Sequence, residues 1–150
     1  MQERKTNSQI IISGPPTLLA KEIASFLHKT YGYEVAIVSD LIRSEIQCKT
    51  HMGIKLNSIL QAGELIPNLY LNELISNAKS QLKTVYIGYP RTPEQFDLLY
   101  EATHIPLKEF IVFRVNESDP LIDYLADKCD ILDLRDGNDP IHRIKQYFHE

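Results

Sequence analysis

Apolar residues along this chain alternate between two rhythms. Five short runs are rich in β-branched and aromatic side chains: residues 9–13 (QIIIS), 35–38 (VAIV), 84–87 (TVYI), 110–115 (FIVFRV) and 131–134 (ILDL). Runs of this kind read as strands buried on both faces. Between them the apolar positions recur at helical spacing. Residues 17–30 carry Leu19, Ile23, Phe26 and Leu27, and Gly32 closes that helix. A second helix spans 41–47 with Ser39 or Asp40 as its cap, and a third spans 53–62 and stops at Gly63. A fourth begins at Asn68, with Leu71, Leu74 and Ile75 on one face. The remaining helices are 93–102, one opened by Asp119-Pro120, and 140–148 after a turn at Asp136-Gly137. Strands alternating with helices predict a parallel sheet covered on both faces. No repeat, linker or low-complexity segment divides residues 1–150, so a single domain is expected.

Composition narrows the class without naming a function. The apolar fraction is 43 %, the charged fraction 24 % and the net charge −4, with both signs mixed along the chain. That balance gives no electrostatic footprint for nucleic acid. No apolar run approaches membrane-spanning length. Residues 1–8 are polar and include Glu3, unlike a signal or transit peptide. The two cysteines, Cys48 and Cys129, read as reduced thiols in a cytoplasmic compartment. The five histidines are scattered, and no Cys/His cluster has metal-ligand spacing.

Four short segments could carry chemistry. Ser13-Gly14-Pro15-Pro16 joins the first strand to the first helix, where phosphate loops form. The working loop reads Gly-x-x-x-x-Gly-Lys-[Ser/Thr]. Here Leu19 stands at the second Gly, Ala20 at the Lys, and Lys21 comes one position late. One residue turns a helical side chain by about 100°. On spacing alone this is a strand–turn–helix corner and a failed phosphate loop. Gly88-Tyr89-Pro90-Arg91-Thr92-Pro93-Glu94-Gln95 follows a strand at the edge where open parallel sheets bind ligands, and an Arg there can clamp an anion bidentately. Ser39-Asp40-Leu41-Ile42-Arg43 reads by itself as a capped surface helix, and Gln61 to Pro67 (QAGELIP) as a helix end with a turn.

Taken in order, GPP, SDLIR, AGELIP and GYPRTPEQ resemble the adenylate kinases and related nucleoside monophosphate kinases. Those carry GPPGxGKGT, TGDLLR, AGELVPD and DGFPRTxxQ. The resemblance covers almost the whole chain. It implies a P-loop NTPase-like three-layer α/β sandwich with strand order 2-3-1-4-5 and a helical monophosphate-binding arm at about residues 39–82. By the same resemblance, Arg43 and Arg91 match arginines that hold the AMP phosphate. Gly63, Leu65 and Gly88 match the adenine-side walls, Gln95 the residue reading the adenine edge, and Asp40 a position near the transfer site. Val38 stands in place of the family's Thr.

The ATP half departs from the family. Thr17 and Leu19 replace loop glycines, Ala20 replaces the Lys, and Glu22 replaces the Thr beside it. At about 4 Å and an effective dielectric of about 20, a carboxylate repels another negative charge by about 4 kcal/mol. Ile87 replaces the Asp that organises Mg²⁺. Residues 126–130 run straight into the last strand, which leaves no residues for the lid over ATP. Three readings follow. The first is a pseudoenzyme that keeps an AMP-like pocket or serves as an interaction module, without Mg-ATP. The second is a scaffold domain. The third is a working or partner-completed kinase, in which Lys21 or Lys128 substitutes for the Lys and another subunit covers the site. A protein partner or homo-oligomer fits each; nucleic acid and membrane fit none.

Overall fold

The computed structural model describes residues 7–78, 83–117, 119–135, 137 and 139–149. Five strands, β1 (Gln9–Ile12), β2 (Glu34–Ile37), β3 (Thr84–Ile87), β4 (Phe110–Arg114) and β5 (Asp130–Asp133), pair in parallel in the order β2-β3-β1-β4-β5. Register brings Ile37, Ile87, Ile12 and Phe113 level at the C-terminal edge. The connecting helices are α1 (Leu18–Tyr31), α2 (Val38–Gln47), α3 (His51–Gln61), α4 (Asn68–Ala78), α5 (Pro93–Thr103), α6 (Pro120–Leu125) and α7 (Pro140–His149). The expected doubly covered parallel sheet and its strand order are borne out.

Side-chain alternation along each strand creates two cores. Ile10, Ile12, Val85, Ile87, Ile111 and Phe113 face α1 and α7, meeting Ile23, Leu27, Ile144 and Phe148. Ile11, Tyr86, Phe110 and Val112 face the other way, onto Phe96 and Leu99 of α5 and Leu121 and Leu125 of α6. Each fully buried side chain of this size contributes about 1.5–3 kcal/mol of transfer free energy.

Two element boundaries differ from the sequence expectation. Val38 is the first residue of α2, not the last of β2. Strand passes into helix with no intervening loop, and Ile37 occupies the N-cap without a side-chain bond. Ser39 and Asp40 therefore already have helical backbone and cap nothing. The Asp40 carboxylate accepts from Arg43 one turn on (2.9 Å) and complements the helix dipole. The third helix starts earlier than expected, at His51, because the Thr50 hydroxyl accepts from the Gly53 N–H (2.9 Å). The expected turn at 136–137 falls partly outside the described residues, since 136 and 138 are not described.

Candidate functional site

Three corners leave the C-terminal edge of the neighbouring strands β2, β3 and β1. They meet at Gly88, which has a φ of 82°. A Cβ built there would lie 2.9 Å from Val38 Cγ1 and 3.8 Å from Pro16 Cδ. The absence of a side chain on Gly88 thus lets the second and first corners close over the third.

The first corner is closed on itself. Gly14 takes a φ of 83°, and Thr17 N–H donates to the Pro15 carbonyl (2.8 Å). Pro15 and Pro16 have no N–H to offer an anion. Thr17 caps α1 by accepting from Ala20 N–H (3.2 Å), so positions 18–22 are helical and do not form a loop. Ala20 is fully buried in the α1 face with Ile23, Ala24 and Leu27, whereas Lys21 and Glu22 point to solvent. Leu18 and Leu19 are exposed.

Residues of the β4–α6 connection fill the space behind this corner. Ser13 Oγ donates to Asn116 Oδ1 (2.5 Å) and accepts from Val115 N–H (3.1 Å). Asn116 Nδ2 points at Asp119 Oδ2 (3.5 Å), and Asp119 caps α6 through Leu121 N–H (2.8 Å). A Cβ on Gly14 would lie 3.1 Å from Asn116 Nδ2. Sequence reading missed Ser13 and Asn116 as a pair. No pattern announces two polar residues 103 positions apart.

The third corner is ordered by hydrogen bonds. Thr92 caps α5 by accepting from Gln95 N–H (3.2 Å). Gln95 Oε1 accepts from Arg91 N–H (2.8 Å), and Gln95 Nε2 donates to Asn68 Oδ1 (3.0 Å) at the start of α4. Tyr89 is buried, and its hydroxyl donates to Asn72 Oδ1 (2.9 Å). Burial pushes that phenol far above its ordinary range, which keeps it a donor at any physiological pH. Among the described residues the Arg91 guanidinium makes no hydrogen bond or ion pair, so it is uncommitted. Sequence reading also missed Asn68, Asn72 and Tyr89. Asn68 had a signal, because it occupies the Asp position of the AGELVPD pattern.

The structure joins Arg91, Gln95 and Gly88 in one corner and Asp40 with Arg43 in another. Gly63 and Leu65 stand clear: a Cβ on Gly63 would touch nothing within 4 Å, and Leu65 is 94 % exposed. Lys128 lies at the opposite edge. It precedes Asp130, the first residue of β5, and its ammonium rests on the Tyr124 ring at 4.1 Å. A four-residue strand spans about 13 Å, so Lys128 cannot reach the corners. The turn 126–129 feeds β5 directly from α6.

Charge at the β4 and β5 corners is spent locally. Arg135 grips Asp133 bidentately (Nε–Oδ1 2.9 Å, Nη2–Oδ2 2.7 Å), Arg143 donates to the Asp133 carbonyl, and Arg114 donates to the Asn116 and Glu117 carbonyls. Hydrogen bonds from Arg135 hold the Asp133 carboxyl well below the usual carboxylate range. The stabilisation from a lowered folded-state value is fully present above the unfolded Asp value of about 4 and is lost progressively as pH falls from there to the folded-state value. Asp133 is 45 % exposed, so screening keeps the effect small. Asp133→Asn is expected to flatten the acid limb of the melting temperature between about pH 5 and pH 2. A limb identical to wild type would mean that the pair contributes nothing.

Fold and edge together define a P-loop-like α/β protein. Among curated proteins the chain is 31 % identical over 97 residues to an adenylate kinase of Mycoplasmopsis pulmonis, a match covering 61 % of this chain and 45 % of that one. It is 38 % identical over 88 residues to an adenylate kinase of Pyrococcus abyssi, covering 57 % and 40 %. An adenylate kinase of Mycobacterium sp. (strain MCS) is 32 % identical over 120 residues, covering 75 % and 66 %. No family model matches the chain. The chain is a relative of the adenylate kinases, and it spans less than half the length of the first two relatives.

Proposed function

We propose that this chain is an adenylate kinase-like pseudoenzyme. On this reading it binds a nucleoside monophosphate of the AMP kind and does not transfer phosphoryl groups from ATP. On this reading the nucleotide would sit between a helical arm at about residues 39–82, of which 79–82 are outside the described residues, and the C-terminal edge of β2, β3 and β1. One contrast carries the reading. The corner at 14–22 is shut by two prolines, a capped helix and a buried Ala20, while the corner at 88–95 keeps an ordered Gln95 and an Arg91 guanidinium without a partner among the described residues. The direct α6–β5 turn supports the absence of an ATP lid. Such a protein senses a monophosphate or presents its bound state to a partner or to a second copy. Two unpaired cysteines accord with a cytoplasmic setting, and among the described residues no helix is long and apolar enough to cross a membrane.

Calorimetry with AMP, GMP, CMP and UMP tests the pocket. Arg91→Ala is expected to weaken the preferred nucleotide about 10- to 100-fold, the scale of a lost charge-assisted hydrogen bond. Arg91 is exposed, so the melting temperature should move by no more than about 2 °C. Absence of binding to all four at millimolar concentration would remove the sensing role and leave the scaffold.

A further inference from the structure

The middle of α2, the first turn of α3 and the last turns of α4 converge on a cavity of about 210 Å³. Each helix supplies one apolar side chain to it: Leu41, Met52 and Leu74. Leu74 is buried, Leu41 and Met52 are half-buried, and Ala78 adds a small exposed side chain. Glu45 and Glu73 bring two carboxylates, and none of the described residues lining the cavity is basic. Glu45 Oε1 accepts from the Thr50 hydroxyl (3.1 Å), which leaves it further acceptor sites. Glu73 makes no ion pair or hydrogen bond among the described residues. This is not the cleft at the sheet edge. Leu41 and Glu45 lie one turn apart on one face of α2, and at about 100° per residue Arg43 leaves from the opposite face.

We infer that this cavity is a binding site for an alkylguanidinium, the chemistry shared by small free guanidines and by an arginine side chain. Its volume lies below the roughly 300–1,000 Å³ of sites that enclose drug-sized molecules, so the ligand is small. Two carboxylates turn away phosphates and other anions. What remains is a short apolar stem with a cationic head. The stem lies against Leu41, Met52 and Leu74, and the head stays among Glu45 and Glu73 at the polar side, as long cationic side chains do. A guanidinium suits the place better than an ammonium. It is less strongly hydrated, and its planar fork matches a carboxylate. Thr50 holds Glu45 before the ligand arrives, and the flexible thioether of Met52 adapts to the stem. The inference does not depend on the monophosphate reading.

Met1 and Met52 are the two methionines of the chain, so labelling the methionine methyls with ¹³C gives two signals, one of them inside the cavity. Titrating n-butylguanidinium into the full chain is expected to move the Met52 signal to saturation with a millimolar midpoint, the range open to so small a ligand, while Met1 stays. n-Butylurea has nearly the same shape without the charge and should bind about tenfold more weakly or not at all. Glu45→Gln with Glu73→Gln, which keeps an acceptor for Thr50, should weaken the cation about fivefold or more. Ala78→Leu should fill the cavity and abolish the shift. N-Acetylarginine amide separates the sources: saturation by it admits an arginine of a protein segment, and saturation by n-butylguanidinium alone restricts the site to free molecules. A Met52 signal unmoved at tens of millimolar, a urea that binds as well as the cation, or a double Gln variant that binds as wild type would each overturn the inference.

Discussion

Incubated with ATP, Mg²⁺ and AMP in a coupled assay, the protein is expected to form ADP no faster than a boiled control. Phosphoryl transfer depends almost wholly on positioned positive charge. An arginine finger contributes roughly 10³–10⁵ in rate and one preorganised donor roughly 10²–10³. The contributions are not additive, because the groups act as a unit, yet the corner at 14–22 supplies neither kind. Its prolines bring no N–H, and the nearest cation, Lys21, faces solvent. Restoring the missing ammonium is expected to fail as well. Ala20 has no exposed surface and packs with Ile23, Ala24 and Leu27. Ala20→Lys would drive an unpaired charge into that face, at a cost of several kcal/mol. The variant should melt well below wild type and stay inactive. Turnover above the control by either protein, abolished by removing Mg²⁺, would return the chain to the active kinases.

Gly53→Ala should be among the most damaging single substitutions in the protein. In an ordinary helix interior this change gains up to about 1 kcal/mol of propensity. Here a Cβ would lie 1.9 Å from the Glu45 carbonyl oxygen and 2.4 Å from its carbon. Carbon atoms pack at about 3.5–4.0 Å, so α3 would have to retreat from α2. The obstacle is main chain, which has no rotamer to escape into. Thr50 pins the same junction, capping α3 and donating to Glu45 Oε1 (3.1 Å). Overpacking of this kind costs about 3 kcal/mol or more. For a domain of this size that lowers the melting temperature by about 6–12 °C. Thermal denaturation followed by circular dichroism checks it, and a melting temperature at or above wild type would contradict the close crossing.

The central strands were legible because β1, β3 and β4 are nearly unbroken apolar runs, while the edge strands β2 and β5 carry Glu34, Asp130 and Asp133 and are partly exposed. TVYI at 84–87 is β3 residue for residue. The strand order came from family likeness, since periodicity says nothing about which strand lies beside which. The start of α2 was misread for a local reason. Val38 favours a strand and Asp40 favours a cap, yet packing of Val38 against the Gly88 backbone starts the helix early. In the candidate site, Arg91 and Gln95 could be found because they stand close together after a strand. Asn116 could not, since it acts on a partner far away in sequence; Asn68 was marked only by its place in the AGELVPD pattern, which says nothing of its contact with Gln95.

The crossing at Gly53 also constrains how the arm can move. With main chain resting on main chain, α2 cannot tilt without carrying α3, so the pair swings as one lever. Arg43 rides near its base on α2, and Gly63 and Leu65 ride at its far end just past α3. On the proposed nucleotide reading, Arg43 and the 63–65 segment would therefore shift together and not one at a time. The chain enters this pair of helices at the loopless junction Ile37-Val38 and leaves it through the segment 63–67 ahead of α4.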